Sequence, residues 1–194
     1  LSIINGAMEH ATGARRVIEA TPNKKQVVIL DPSEFRSEKD PKAVMEFGLR
    51  RADGPEAGID ASIYGIMAGC AGTSNVMVAN MVNQKAMGTM AHSWVEAFDT
   101  EIDAFINYAR IYPDNCILLV DTYDTINSGI PNAVKTFKYM QEHGIPTDNI
   151  GIRIDSGDLA RLSKAARCVL DKAGFPQAKI CLSNGLDAKT IRSI

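Results

Sequence analysis

The sequence predicts an α/β protein built on a parallel sheet, an incomplete (β/α) barrel of about six βα units. Short apolar runs alternate with amphipathic helical stretches from residue 43 onward, which is the pattern of repeated βα units. No GxGxxG or GxxxxGK[ST] turn is present, so an open nucleotide-binding sheet lacks its usual mark. Polar residues are spread instead over the C-terminal ends of several strands, where a barrel carries its active site.

Residues 1–42 are read as a separate N-terminal stretch and 43–194 as the βα-barrel portion. Ile3, Ala7, Ala11, Ala14, Val17 and Ile18 recur at helical spacing, and Thr21-Pro22-Asn23 ends that helix. A short strand is expected at 27–30, followed by a charged surface excursion at 31–42 holding Pro32 and Pro41. Strands are then expected at 44–47, 69–73, 86–89, 117–121, 150–154 and 179–183. Each is followed by a helix signal. Ser74 is placed as a cap, and Ser93-Trp94-Val95-Glu96 as a capping box. Thr100 precedes Ile102, Phe105, Ile106 and Ala109 as a further start. Pro131 opens a helix that Gly144 closes, and Gly174 closes the stripe Leu159, Leu162, Ala166, Val169 and Ala173. Asp187 caps the last helix.

The 194 residues carry 21 Lys+Arg against 23 Asp+Glu, a net charge of −2 that attracts neither a nucleic-acid backbone nor an anionic membrane as a whole. No apolar run approaches the roughly 18 residues of a membrane span. Cys70, Cys116, Cys168 and Cys181 share no CxxC spacing and no nearby histidine, so they read as buried free thiols in a reducing compartment and not as a metal site. Residues 1–20 carry Glu9, Arg15 and Arg16 and do not read as a signal peptide. A first residue other than Met, an end at Ile194 and six units where a barrel has eight lead to the expectation of a fragment.

Three strand ends carry chemistry. In Gly151-Ile152-Arg153-Ile154-Asp155-Ser156-Gly157-Asp158, alternation places Ile152 and Ile154 on one face and Arg153 with Asp155 on the other. A charge buried in a sheet needs a partner. Arg153 and Asp155 are therefore either a mutual ion pair or an anion and hydroxyl site at the barrel mouth, with backbone N–H groups near Gly157 and Asp158 added. Arg50 and Arg51 follow the strand at 44–47. They are either a solvated surface or a bidentate phosphate site. His92 stands between a strand end and a helix start, as a packed residue or as a functional one.

Six segments occur in order: Glu46-Phe47-Gly48-Leu49-Arg50-Arg51-Ala52, Gly72-Thr73-Ser74-Asn75, Gly88-Thr89-Met90-Ala91-His92-Ser93, Asp121-Thr122-Tyr123-Asp124-Thr125, the Gly151–Asp158 octapeptide and Ser183-Asn184-Gly185-Leu186-Asp187. Together they resemble the nicotinate phosphoribosyltransferase family. The resemblance implies an irregular α/β barrel of the type II phosphoribosyltransferase kind. It implies transfer of a phosphoribosyl group from phosphoribosyl diphosphate to nicotinate, the first step of NAD salvage, coupled to ATP with Mg²⁺. His92 falls on the family's phosphorylated histidine. Thr89 and Arg153 fall on its nicotinate contacts, Arg50 on a phosphate or diphosphate arginine with Arg51 beside it, Asp155 on a ribose contact and Asn184 on a further ribose or phosphate contact. No metal ligand is assigned. The resemblance also implies a cytoplasmic homodimer in the full-length protein, and an N-terminal domain and a last phosphate loop that this chain lacks.

A nicotinamide enzyme would place an acid where Ser74 stands and would lack Arg51. A quinolinate enzyme would need more cations. A non-catalytic barrel is opposed by the intact set Arg50, Thr89, His92, Arg153 and Asp155. A metal-dependent lyase or aldolase would need a ligand cluster or a strand-end lysine, and Lys179 begins its strand.

Overall fold

A computed structural model of the chain describes residues 26–30, 44–67 and 70–186. The helix expected over 1–20, the excursion at 31–42 and the helix led by Asp187 lie outside the described residues. The described residues form two compact units. The first takes those up to Gly88 together with 183–186, and the second runs over Thr89–Leu182.

In the first unit, β1 (Gln26–Leu30) and β2 (Val44–Glu46) pair in parallel, with Val28 opposite Val44 and Leu30 opposite Glu46. A 3₁₀ turn, Leu49–Arg51, follows β2. The helix α1 (Pro55–Met67) then opens on a proline, whose missing N–H costs nothing in a first turn. The sequence reading did not single this helix out. The next helix, α2 (Val76–Met81), is capped by Asn75, whose side chain accepts from the backbone N–H of Val78 at 3.3 Å. The expected cap, Ser74, instead spends its backbone N–H on the Glu46 carbonyl at 2.9 Å.

Among the described residues, two of the expected strands are not formed. Of the segment 69–73, the described part makes a single parallel bridge, Thr73 to Glu46. Residues 86–89 have no strand pairing; Met87 donates one backbone bond to the Thr73 carbonyl at 2.9 Å. Both segments are built of Gly, Ala and a few small or unbranched residues, which offer little to a pleated surface. Gly72 also lets Met87 sit directly against the chain, because a Cβ there would lie 2.5 Å from its sulfur. Among the described residues, therefore, six βα units are not completed and the strands do not close a barrel. The architecture is α/β on parallel strands.

The second unit carries α3 (His92–Glu96), α4 (Glu101–Ile111), β3 (Cys116–Leu119), α5 (Ile130–Glu142), β4 (Ile150–Ile154), α6 (Leu159–Lys172) and β5 (Lys179–Leu182). β4 lies between β3 and β5, all parallel, with Leu118 opposite Ile152 and Ile152 opposite Ile180. β3 is buried along its length, and β4 and β5 are buried at every position but Arg153 and Lys179, as parallel strands covered on both faces are. Phe105, Leu118, Phe137, Ile150, Ile152, Ile154, Leu170 and Phe175 are fully or almost fully buried. Each such side chain contributes about 1.5–3 kcal/mol. Phe137 and Phe175 meet edge to face at 5.5 Å.

Helix ends follow the sequence in most places. Thr100 accepts from Asp103 N–H, Asp158 accepts from Arg161 N–H, and Gly144 and Gly174 take the positive φ that stops α5 and α6. The Ser93–Glu96 capping box does not form. Here α3 begins two residues earlier, with Ala91 at its N-cap and no side-chain cap. Packing sets this start. Trp94 donates from Nε1 to the Ala104 carbonyl at 3.1 Å and packs its ring at an angle against Phe98 and edge-on against Tyr108. All four cysteines are free. Cys116 and Cys181 are buried with thiols pushed up to about 12 by burial, whereas Cys168 is exposed, unlike the expectation. No described helix is long and apolar enough to cross a membrane.

A π-helical turn, Thr125–Gly129, leads from β3 into α5. Gly129 donates to the Asp124 carbonyl at 2.8 Å and lies so close to the chain after β3 that an added Cβ would stand 1.8 Å from the Val120 oxygen. Backbone cannot yield as a flexible side chain does. Gly129→Ala is therefore expected to destabilise the protein by about 1–3 kcal/mol. The urea unfolding midpoint measures this, with Glu142→Ala on the exposed end of α5 as the control. Equal midpoints for the two variants would contradict the close approach.

Candidate active site

The C-terminal end of β4 gathers the polar groups of the second unit. Ile152 and Ile154 are fully buried, so the strand's alternation turns Arg153 and Asp155 to the other face, where both are only partly covered. Arg153 Nη2 meets Asp155 Oδ1 at 2.8 Å, and Arg153 Nη1 donates to Thr89 Oγ1 at 2.9 Å. Of the two alternatives left by the sequence the ion pair is made, and the Arg153 side chain, 16% exposed, is held from two sides.

Just beyond β3, the next strand, stands Asp121. Its side chain is 1% exposed. Oδ2 accepts from the backbone N–H of Asp155 at 2.9 Å and from the Ser156 hydroxyl at 2.6 Å. Oδ1 faces His92 Nε2 at 3.2 Å. A carboxylate oxygen at that distance calls for a hydrogen on Nε2, so in the neutral imidazole the lone pair is on Nδ1. The His92 side chain is 40% exposed at the first position of α3. Thr89, His92, Arg153 and Asp155, four of the residues predicted from sequence, are therefore brought together, and Asp121 with Ser156 joins them.

Asp121 and Ser156 were not assigned roles from the sequence, although both lie in quoted segments. The signal was available. Asp121 ends the run Cys116-Ile117-Leu118-Leu119-Val120 as abruptly as Arg153 and Asp155 interrupt β4. The anion site expected from backbone N–H groups near Gly157 and Asp158 is altered: Asp158 caps α6 with its own carboxylate, so an incoming anion meets negative charge there.

The other predicted residues lie in the first unit. Arg50 and Arg51 sit on the 3₁₀ turn after β2, exposed at its basic last turn. Asn184 is exposed with φ +74°, followed by Gly185 at φ +61°. Asparagine is among the few residues that tolerate this region. Glu46, which sequence reading gave no role, is buried beneath the arginine turn; its carboxylate accepts from Gly48 N–H and from the Thr73 hydroxyl. Among the described residues no group of three His, Cys, Asp or Glu side chains surrounds a common point.

A sequence model of the nicotinate phosphoribosyltransferase (NAPRTase) family matches residues 43–194. The chain is 44% identical over 153 residues to a nicotinate phosphoribosyltransferase of Bacillus subtilis (strain 168), covering 79% of this chain and 30% of that protein. It is 33% identical over 195 residues to a nicotinate phosphoribosyltransferase of Dictyostelium discoideum, covering 77% and 33%. Its fold matches the crystal structure of human nicotinic acid phosphoribosyltransferase with a TM-score of 0.74 at 23% identity, over 96% of this chain and 44% of that one. A nicotinate-nucleotide pyrophosphorylase from Pyrococcus furiosus matches with a TM-score of 0.70 at 24% identity, over 97% and 43%. The chain thus spans about a third of the length of these two sequence relatives. With the family match covering most of its length, the chain belongs to the nicotinate phosphoribosyltransferase family.

Proposed function

We propose that the full-length protein transfers the phosphoribosyl group of phosphoribosyl diphosphate to nicotinate, giving nicotinate mononucleotide and diphosphate in NAD salvage. The observation that carries this reading is the Arg153 guanidinium, held between Thr89 and Asp155 at a strand end and still partly open. A planar, permanent cation fixed in this way suits the carboxylate of nicotinate. The ring nitrogen of nicotinate attacks C1 of the ribose as the bond from C1 to the diphosphate oxygen breaks, through an oxocarbenium-like state. Positioning does most of the work in such a displacement. Asp155 is assigned to the ribose, Arg50 and Arg51 to the phosphate groups, and Asn184 to a further ribose or phosphate contact.

The described residues form no metal cage of their own. Mg²⁺ belongs to the proposal as an ion that would be carried largely by substrate phosphates and would neutralise charge on the departing diphosphate. Completion of the irregular barrel belongs to the same proposal, as do a cytoplasmic homodimer and the absence of nucleic-acid or membrane partners.

ATP coupling through a phosphohistidine is the second part of the proposal. With Nε2 turned to Asp121, Nδ1 of His92 is the nucleophile. Its lone pair forms the N–P bond to the γ-phosphorus as the bond to the ADP oxygen breaks. The positive charge left on the ring is offset by the Asp121 carboxylate. Water later takes the phosphoryl group and releases phosphate.

Two outcomes test these assignments in the full-length protein. Arg153→Ala is expected to lower kcat/KM for nicotinate by about 2–4 kcal/mol, since the cation is lost and Asp155 is left facing a carboxylate substrate. Arg153→Lys should recover only part of the loss, and an unchanged kcat/KM in the alanine variant would refute the assignment. His92→Asn is expected to abolish acid-labile, base-stable label from γ-³²P-ATP and to remove stimulation by ATP, while some phosphoribosyl transfer persists. Label persisting in that variant would place the phosphoacceptor elsewhere.

A further inference from the structure

Four polar side chains are buried together in the first unit, and the chemistry above uses none of them. Glu46 and Thr73 are 1% exposed, Asn75 3% and Ser62 0%. They form one chain of hydrogen bonds. Ser62 donates to the Gly58 carbonyl at 2.7 Å, tying the chain to α1, and Asn75 Nδ2 donates to Ser62 Oγ at 3.2 Å. The backbone N–H of Asn75 donates to Thr73 Oγ1 at 2.9 Å, and the Thr73 hydroxyl donates to Glu46 Oε2. The other oxygen, Oε1, accepts from Gly48 N–H. Gly48 is the N-cap of the Leu49–Arg51 turn, and its carbonyl accepts from Arg51 N–H at 2.8 Å. Leu49 of the same turn lies over Gly58, where an added Cβ would stand 2.5 Å from Leu49 Cδ1.

We propose that Glu46 is a positioning residue for phosphoribosyl diphosphate: its carboxylate ties the turn bearing Arg50 and Arg51 to Thr73 and so holds the two guanidiniums in one register. The inference rests on the assignment of those arginines to the phosphate groups made above. Both ends of the carboxylate face donors, and this requires an acceptor at each oxygen. A glutamine can satisfy only one. With its carbonyl on Gly48 N–H, its NH₂ faces Thr73 Oγ1 as a donor, and the Thr73 hydrogen loses its acceptor. With the amide reversed, NH₂ opposes N–H. A residue needed only to fill this space would be apolar, because burying an acid costs more than burying a hydrocarbon.

The test is a double-mutant cycle in the full-length protein, reading KM for phosphoribosyl diphosphate and kcat in wild type, Glu46→Gln, Arg50→Ala and the pair. Glu46→Gln should raise KM about tenfold and leave kcat within about twofold, the size of one buried hydrogen bond lost. Added to Arg50→Ala, it should raise KM by no more than about twofold, because the turn then has less to position. Thr73→Val should reproduce the KM change and Thr73→Ser should restore wild-type behaviour. These two variants carry the cycle if Glu46→Gln does not fold. The same factor in both backgrounds, or a fall in kcat without a change in KM, would overturn the inference, as would no effect of Glu46→Gln beside a clear effect of Arg50→Ala. If Arg50→Ala itself leaves KM unchanged, the phosphate assignment fails first and takes this inference with it.

Discussion

Asp121 accepts three contacts from two separate places in the chain while its side chain is almost wholly buried: the His92 ring and, after β4, the backbone N–H of Asp155 and the Ser156 hydroxyl. A buried carboxylate is tolerated only when its oxygens are satisfied, so its position fixes the positions of its donors. Through Asp155 it fixes the turn after β4, and through that turn the partner of Arg153. Through its contact with Nε2 it orients the His92 ring at the first position of α3. The site of the second unit is therefore a consequence of where β3 ends.

The fold supplies that end point by close packing. Gly129 admits the Val120 carbonyl where any side chain would collide, and the π-helical turn with its Asp124 cap brings α5 in directly behind β3. Gly151 does the same inside β4, since a Cβ there would stand 2.6 Å from the Lys179 oxygen. Neither glycine touches the polar cluster. Both set the spacing of the strands whose ends carry it. The first unit reaches an analogous result by different means, with a chain of buried side-chain hydrogen bonds from α1 to the arginine turn.

Much of this was legible in the sequence. The strands at 117–121, 150–154 and 179–183 announced themselves as apolar runs, and the alternation of Ile152 and Ile154 with Arg153 and Asp155 was enough to place two site residues on one face. Thr100, Gly144 and Gly174 marked helix ends by their own local chemistry. The strands expected at 69–73 and 86–89 were not formed among the described residues; each segment has a threonine as its sole β-branched residue, and their backbone bonds amount to one bridge and a few isolated contacts. The Ser93–Glu96 box failed because Trp94 packing outweighed a local cap. Asp121 and Glu46 escaped assignment for a common reason: each acts through hydrogen bonds to residues distant in the chain, 29 and 34 positions away for His92 and Asp155, and 27 for Thr73. Spacing along a sequence does not reveal such partners.

The central claim is that one carboxylate organises both the histidine and the end of β4. Asp121→Asn in the full-length protein tests it most directly, by following two readouts together: the rate at which ATP labels His92, and kcat/KM for nicotinate without ATP. An amide can satisfy only some of the three contacts. Both readouts should fall by about tenfold or more, the cost of leaving a buried charge-assisted bond unmade. Wild-type values for both would contradict the account.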